Sequence, residues 1–122
     1  MKVTVHSDGF EGYKKRTLAR SKKLARREKI QPEAIITFES PLAMLQVLTA
    51  ERIRLCEVAR RQPFSISALA GELKRDPKSV RRDVLKLEQV GVLRTREEIN
   101  PGHGKLRIVE PVAERFELRA QF

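Results

Sequence analysis

The sequence is poor in the residues that build disulfide, redox and metal sites. Its 122 residues include one cysteine and two histidines, and there is no tryptophan. A single cysteine, Cys56, cannot form an internal disulfide, and this fits a reducing cytoplasm. One cysteine and two separated histidines do not make a zinc site. We therefore expect no metal and no cofactor, and we interpret Cys56 as a small core residue rather than a redox sensor.

The sequence also lacks the segments that are typical of membrane insertion, secretion or catalysis. No apolar run approaches the ~20 residues of a membrane span. The segment from Met1 to Asp8 is too short and mixed for a signal peptide. No glycine-rich phosphate loop, nucleophile elbow or His-Glu-x-x-His motif occurs. These absences predict a cytoplasmic protein that is neither an enzyme nor membrane-bound.

Positive charge is what the sequence has in excess. The net charge is +10, which favours an anionic partner such as nucleic acid, an acidic protein or an anionic membrane surface. Most of the excess lies in residues 1–31, which carry ten Lys or Arg against three Asp or Glu. Hydrophobic residues make up 40% of the chain, enough to form a core in one compact domain.

The stretch RDPKSVRRDVLKLEQVGVL, residues 75–93, predicts a helix with an unusual charge distribution. Asp76 is a good N-cap and Pro77 suits the first helical position, while Gly91 suits the left-handed position beyond the helix end. Lys78, Arg81 and Arg82 crowd the first turns, where the helix dipole makes cations least favourable. A phosphate-rich partner at this end would be attracted by the dipole and the side chains together.

Periodicity predicts the other elements and an α+β fold. In the first part of the chain, the expected elements are a strand around Val3 and Val5, a basic helix from Phe10 to Lys29, a strand at 34–38 and a short helix at 41–48. In the middle they are a helix from Ala50 capped by Thr49, a short strand at 64–66 and a helix at 68–74 capped by Ser67. The helix at 77–90, with Val80, Val84 and Leu87 inward, is followed by a hairpin with its turn at 100–104 and by a C-terminal strand containing Phe116, Leu118 and Ala120. Two short helices about a tight turn, followed by a hairpin, form a winged helix-turn-helix.

The stretch from Ser67 to Leu93 resembles winged helix-turn-helix transcriptional regulators of the MarR-like kind. The matching positions are Ser67, Leu69-Ala70, Ser79-Val80, Leu87 and Gly91 to Leu93. Residues 38–59 joined to 75–84 look like a subgroup of small DNA-binding proteins, some of them regarded as antitoxins encoded beside a toxin. The resemblance covers residues 38–109. It implies a winged helix that binds double-stranded DNA, and more weakly an antitoxin.

The predicted DNA-binding residues lie on the helix at 77–90, which would enter the major groove, and on the wing at 92–109, which would contact the backbone or minor groove. On the helix they are Lys78, Ser79, Arg81, Arg82 and Lys86. On the wing they are Arg94, Arg96, Lys105 and Arg107, with His103 at the tip as a minor-groove candidate. The alternative for each is an ordinary solvated surface.

The basic helix before Gln31 has several readings. It could be solvated surface, a helix that lies on a membrane surface, or a binding site for an acidic toxin. We prefer a helix packed on a dimer mate or on the winged domain, with its basic side near DNA phosphates. The domain prediction is 1–33 for dimerisation or partner contact, 34–110 for the winged helix, and 111–122 for a C-terminal strand that supports a homodimer.

Two functional hypotheses follow. The first is a sequence-specific transcriptional regulator, most simply a repressor. The alternative is an antitoxin that neutralises a toxin by protein binding and autoregulates its operon. A neighbouring toxin-like gene would favour the second.

Overall fold

The computed structural model describes residues 1–30, 34–102 and 104–122. In chain order its elements are β1 (Lys2–His6), α1 (Gly9–Ala25), β2 (Ala34–Thr37), α2 (Pro41–Val47), α3 (Ala50–Ala59), β3 (Phe64–Ser65), α4 (Ile66–Leu73), α5 (Pro77–Val90), β4 (Leu93–Asn100), β5 (Gly104–Pro111) and β6 (Arg115–Arg119). The chain forms two compact units, residues 1–46 with 115–122, and residues 47–114. Within the described ranges, no helix is both long enough and apolar enough to cross a bilayer.

The first unit is built on a three-stranded parallel sheet with the order β2-β1-β6. The central strand is its most buried part, since Val3, Thr4 and Val5 are at most 1% exposed. The predicted strands at both ends of the chain are therefore confirmed. The C-terminal strand is not isolated, however, because β6 pairs in parallel with β1 along its whole length, from Lys2 opposite Arg115 to His6 opposite Arg119.

Helix α1 confirms the predicted basic helix but ends at Ala25 rather than at Lys29, and among the described residues its apolar side is uncovered. Phe10, Tyr13, Leu18 and Leu24 are all more than half exposed. Every residue from 17 to 25 is exposed. The helix is fixed to its unit near its middle, where Arg16 pairs with Asp8 and donates to the Thr37 hydroxyl at 2.9 Å.

The second unit contains the three-helix array α3, α4 and α5 and the antiparallel sheet β3-β5-β4. Its core is made of aliphatic side chains that are at most 2% exposed: Leu55, Val58, Leu69, Val80, Val84, Leu87, Leu93 and Val109. The β4–β5 hairpin follows α5 directly, as predicted. This unit is a winged helix-turn-helix, and the whole chain is α+β.

The helix caps explain where these helices begin and end. The Thr49 hydroxyl accepts from the Arg52 N–H, and the Asp76 carboxylate accepts from the N–H groups of Lys78 and Ser79 at 3.1 and 3.2 Å. Gly91 ends α5 in the left-handed conformation at φ 91°. Each of these caps was predicted.

One cap prediction was wrong. Ser65, not Ser67, caps α4, and its hydroxyl accepts from the Ala68 N–H at 3.1 Å. The helix starts two residues early because β3 leads directly into it and Ile66, its first residue, is buried.

The functional division at 33/34 and 110/111 remains a prediction. The compact units divide the chain elsewhere, at 46/47 and 114/115. The physical reason is that both β2 and β6 pair with β1 and so belong to its sheet.

Candidate nucleic-acid interface

Helix α5 separates an apolar inner side from a basic outer side. Val80, Val84 and Leu87 are at most 1% exposed. Lys78, Arg81 and Arg82 are exposed, whereas Ser79 and Lys86 are half-buried. The i, i+4, i+7 spacing of the apolar residues places the basic residues on the side that faces away from the core.

In the part of the chain that the structure describes, the cations of α5 form no ion pair with a carboxylate. Among the described residues, no carboxylate oxygen lies within 4.0 Å of a side-chain nitrogen of Lys78, Arg81, Arg82 or Lys86. The first turn of α5 also holds no acidic residue. These charges therefore repel one another and the positive end of the helix dipole, and an anion would relieve that repulsion.

A buried carboxylate, Asp83, fixes the orientation of α5, and sequence reasoning missed it. Asp83 is 8% exposed and lies on the inner side of the helix. It accepts hydrogen bonds from Arg52 Nε of α3 at 3.1 Å and from Arg75 Nη2 in the turn before α5 at 2.8 Å. The signal was an aspartate next to Val84 on an otherwise apolar side, since a buried carboxylate requires cationic partners.

The wing cations are divided between the two faces of the hairpin. The pairing register places Arg94 and Arg96 on one face of the hairpin and places Lys105 and Arg107 on the other face. Strand residues alternate between faces, so one continuous basic surface along the wing is not formed. The structure thus brings the α5 cations together but not the four wing cations.

Each wing cation already has a partner within the hairpin. Arg94 lies 3.5 Å from Glu110, and Arg96 pairs with both Glu110 and Glu98. The hydrogen bond from Arg96 lowers the pKa of the Glu110 carboxyl and raises that of the Arg96 guanidinium. On the other face Lys105 lies 3.4 Å from Glu97.

Arg107 connects the wing to α5. Its Nε donates to the Thr95 hydroxyl at 3.2 Å, and the Thr95 hydroxyl donates to the Glu88 carboxylate of α5. The face with Lys105 and Arg107 is therefore the one turned toward α5. His103, the predicted tip contact, lies outside the described residues.

Cys56, predicted to be a small core residue, is not among the buried core side chains. Its side chain is half-buried in α3. Desolvation raises the pKa of its thiol to about 12, so the thiol stays protonated at neutral pH.

These features define a winged helix-turn-helix protein whose helix α5 has a basic outer side with no carboxylate partner among the described residues. A family model, HVO_A0114, matches residues 47–113, more than half of the chain. The chain belongs to this family. No curated protein matches the sequence.

Solved structures give the same fold. The chain is similar to a possible transcriptional regulator from Methanosarcina mazei Go1, with 21% identity, a TM-score of 0.51 and coverage of 58% of this chain and 63% of that chain. The match thus spans less than two thirds of that protein. At this identity, the likeness shows the winged-helix fold.

Two further structures have lower TM-scores. One is the homodimeric winged helix-turn-helix DNA-binding domain of a possible ArsR-family transcriptional regulator from Mycobacterium bovis, with 13% identity, a TM-score of 0.47 and coverage of 62% of this chain and 73% of that chain. The other is Lactococcus lactis ZitR in complex with DNA, with 13% identity, a TM-score of 0.49 and coverage of 89% of this chain and 69% of that chain.

Proposed function

We propose that this protein is a sequence-specific, double-stranded DNA-binding transcriptional regulator that acts as a repressor. Helix α5, residues 77–90, lies in the major groove, and the wing, residues 92–109, lies on the backbone or in the minor groove. The observation that carries the proposal is the group of unpaired cations on the exposed side of α5.

The electrostatics of α5 suit a polyanion. Phosphate oxygens would accept from Lys78 and Arg81 and from the Ser79 hydroxyl near the start of the helix, where the helix dipole adds to the attraction. Arg82 can present two N–H groups to the O6 and N7 atoms of guanine. Lys86, one turn further along, extends the contact.

The wing can contribute by exchanging partners. Its ion pairs are exposed, and exposed pairs stabilise a protein by only about 0–1 kcal/mol. Arg94, Arg96 and Lys105 can therefore leave a carboxylate for a phosphate at little cost, and Arg107 can leave the Thr95 hydroxyl. His103 at the tip is assigned to the minor groove. The two faces of the hairpin cannot both contact the same DNA groove. We therefore assign the main contact to Lys105 and Arg107, which share the face turned toward α5.

The regulator acts as a homodimer on a palindromic site, since one winged helix covers one half-site. Residues 34–110 provide DNA binding, and residues 1–33 and 111–122 serve dimerisation or partner contact. Bound across a promoter, such a dimer excludes polymerase. Transcription from the protein's own promoter in vitro should fall as the protein is added and stay constant on a template with a scrambled site.

The test of base reading is Arg82→Ala, measured by fluorescence anisotropy on the protein's own promoter fragment and on scrambled DNA. Removal of a bidentate base contact should weaken specific binding by ~1–3 kcal/mol and leave the fold intact, because Arg82 faces outward. Arg61→Ala is the matched control. It removes the same charge from an exposed residue outside α5 and the wing, and it should preserve the preference for the promoter.

Equal affinity of the wild-type protein for promoter and scrambled DNA would contradict sequence-specific reading. An unchanged preference in Arg82→Ala would contradict the role of Arg82 in it.

The second candidate function is an antitoxin that binds an acidic toxin through α1. The observation in its favour is the exposed apolar stripe of Phe10, Tyr13, Leu18 and Leu24 beside many cations. A pull-down with the product of the adjacent gene distinguishes the two functions. Toxin capture that is abolished by reversing the α1 charges, with promoter binding unchanged, would favour the antitoxin.

A further inference from the structure

Strand β6 presents a free edge. It pairs with β1 on one side, and within the described part of the chain no strand pairs with its other side. A free edge exposes backbone N–H and C=O groups that can accept another strand. Leu118, near the middle of the strand, is also 44% exposed. The edge is thus open in both its backbone and its side chains.

The sequence of this edge is complementary to itself. Consider two copies of the segment Arg115 to Gln121 that run antiparallel, with Leu118 opposite Leu118 of the partner subunit. Glu117 then lies opposite Arg119 of the partner subunit, and the two-fold axis repeats this pair with the two subunits exchanged. Phe116 then lies opposite Ala120 of the partner subunit. Apolar residues share one face and opposite charges share the other.

Neighbouring registers lack this complementarity. A shift by one residue sets Leu118 opposite a charged residue of the partner subunit. It also moves each side chain of the added strand to the opposite face of the joined sheet. A register centred on Glu117 sets that carboxylate against itself and sets Arg115 against Arg119 of the partner subunit, so that like charges are opposed. The register centred on Leu118 is therefore electrostatically favoured.

The carboxylate of Glu117 is already surrounded by cations. Lys2 Nζ lies 3.5 Å away, and the nearest nitrogens of Arg115 and Arg119 lie at 3.3 and 3.7 Å. The basic side chains therefore stand beside the free edge together with one acidic residue. This pattern suits a partner strand with the same alternation of charge.

The other exposed surface of this unit is less suited to a second copy. Residues 9–25 of α1 are strongly basic and carry one carboxylate, so two copies of this helix would repel each other. The strand β2, at the opposite edge of the sheet, has the sequence AIIT and no charge that could define a register. A second copy fits β6 best.

We propose that two copies of this chain dimerise by antiparallel pairing of β6 with β6 about a two-fold axis at Leu118. Two three-stranded sheets then join into one of six strands. This proposal rests on the homodimer of the proposed function, and it identifies the residues that form the dimer interface.

Charge complementation tests the register. Arg119→Glu and Glu117→Arg each set like charges opposite each other, so each variant alone should be monomeric by light scattering. Mixing the two variants restores both opposite-charge pairs, and a heterodimer should form. Arg115→Glu is the matched control, because Arg115 lies opposite the uncharged Gln121 of the partner subunit, and it should remain dimeric. Circular dichroism checks that each variant is folded.

Cross-linking tests the same register with less risk to the fold. Leu118→Cys lies on the two-fold axis and should form a covalent dimer under mild oxidation, with the unaltered chain as the control for Cys56. Phe116→Cys should not, because two copies of residue 116 would be four residues apart along the strands, about 14 Å, whereas a disulfide requires Cα atoms within about 7 Å.

A monomeric wild-type protein, a dimeric Arg119→Glu variant, or cross-linking at 116 but not at 118 would overturn this interface. Promoter preference that depends on Arg82 can survive each of these results, and only the monomeric wild-type result would also contradict the homodimer of the proposed function. Failure of the interface is therefore distinguishable from failure of the proposed function.

Discussion

Asp83 connects three parts of the helix-turn-helix through one carboxylate. Its oxygens accept from Arg52 of α3 and from Arg75 in the turn before α5. Arg75 also lies 3.6 Å from Glu51 near the start of α3. A buried carboxylate in such a network holds α5 against α3 and the turn before α5.

Replacing Asp83 with Ala should therefore destabilise the protein by ~3–5 kcal/mol, since two arginines lose a buried partner. Chemical denaturation followed by circular dichroism measures the free energy of unfolding. The exposed Glu97→Ala variant, which removes only the surface pair with Lys105, should change it by at most ~1 kcal/mol. A change of similar size in both variants would contradict the structural role of Asp83.

Lys74 occupies a conformation that suits glycine better. It ends α4 at φ 54°, in the left-handed region, as Gly91 does at the end of α5. This conformation costs a non-glycine residue about 1–2 kcal/mol. Lys74→Gly should thus raise the free energy of unfolding by roughly 0.5–1 kcal/mol after the larger chain entropy of glycine is subtracted.

Thermal denaturation of Lys74→Gly beside Lys74→Ala provides the check. Alanine has the same steric conflict in the left-handed region and should give no such increase. A melting temperature that is lower for the glycine variant than for the alanine variant would show that the strain at residue 74 is absent.

Helix α1 is the element whose surroundings least resemble those of a stable surface helix. Its residues from 17 to 25 are exposed, whereas helical stability in proteins comes mainly from a packed apolar side. Lys22 and Lys23 add positive charge to this part, and Arg26 and Arg27 add more directly after the helix end. A polyanion close to it would be attracted strongly.

Reversing the charge of Lys22, Lys23, Arg26 and Arg27 tests whether α1 contacts DNA. For each phosphate that the helix no longer neutralises, the slope of log K against log salt should become shallower by roughly 0.9 on duplex DNA, because fewer counterions are released. The measurement is binding to promoter DNA at several salt concentrations. The variant spares Phe10, Tyr13, Leu18 and Leu24, and an unchanged slope would exclude phosphate binding by this helix.

Local patterns predicted those elements whose signals lie within them. Helix α5 carries its cap, its first-turn proline and its terminal glycine in one stretch, and the hairpin follows at once. The prediction of the α4 cap was wrong because Ser65 and Ser67 both precede an apolar repeat. Only the burial of Ile66 decides which of the two serines is the N-cap. Helix α5 was therefore predictable, and the exact start of its neighbour α4 was not.

Long-range partners could not be predicted. The Ser7 hydroxyl donates to the backbone oxygen of Arg119 at 3.0 Å, across 112 residues of sequence. Likewise, the sequence around Asp83 does not reveal that Arg52, 31 residues earlier, is its partner. Patterns within one segment specify its conformation and its buried side, but they do not specify which distant segment it meets.

The two compact units are interleaved in the sequence. Residues 47–114 form the winged helix, and the segments before and after them form the parallel sheet. The winged-helix unit is thus an insertion into the sheet unit. Each has its own buried centre, at Val3 and Val5 in one and around Leu55, Leu69 and Leu87 in the other.

The pairing of β1 with β6 determines the order in which the two units can be completed during synthesis. A ribosome that adds about 5–20 residues per second needs roughly 6–22 seconds to make the chain between Ser7 and Arg119. Until then β1 lacks one of its two neighbours, and Val3 and Val5 belong to an unfinished sheet. The winged helix has all of its strands and helices once Glu114 has emerged, so this unit can fold before the sheet that encloses it in the sequence.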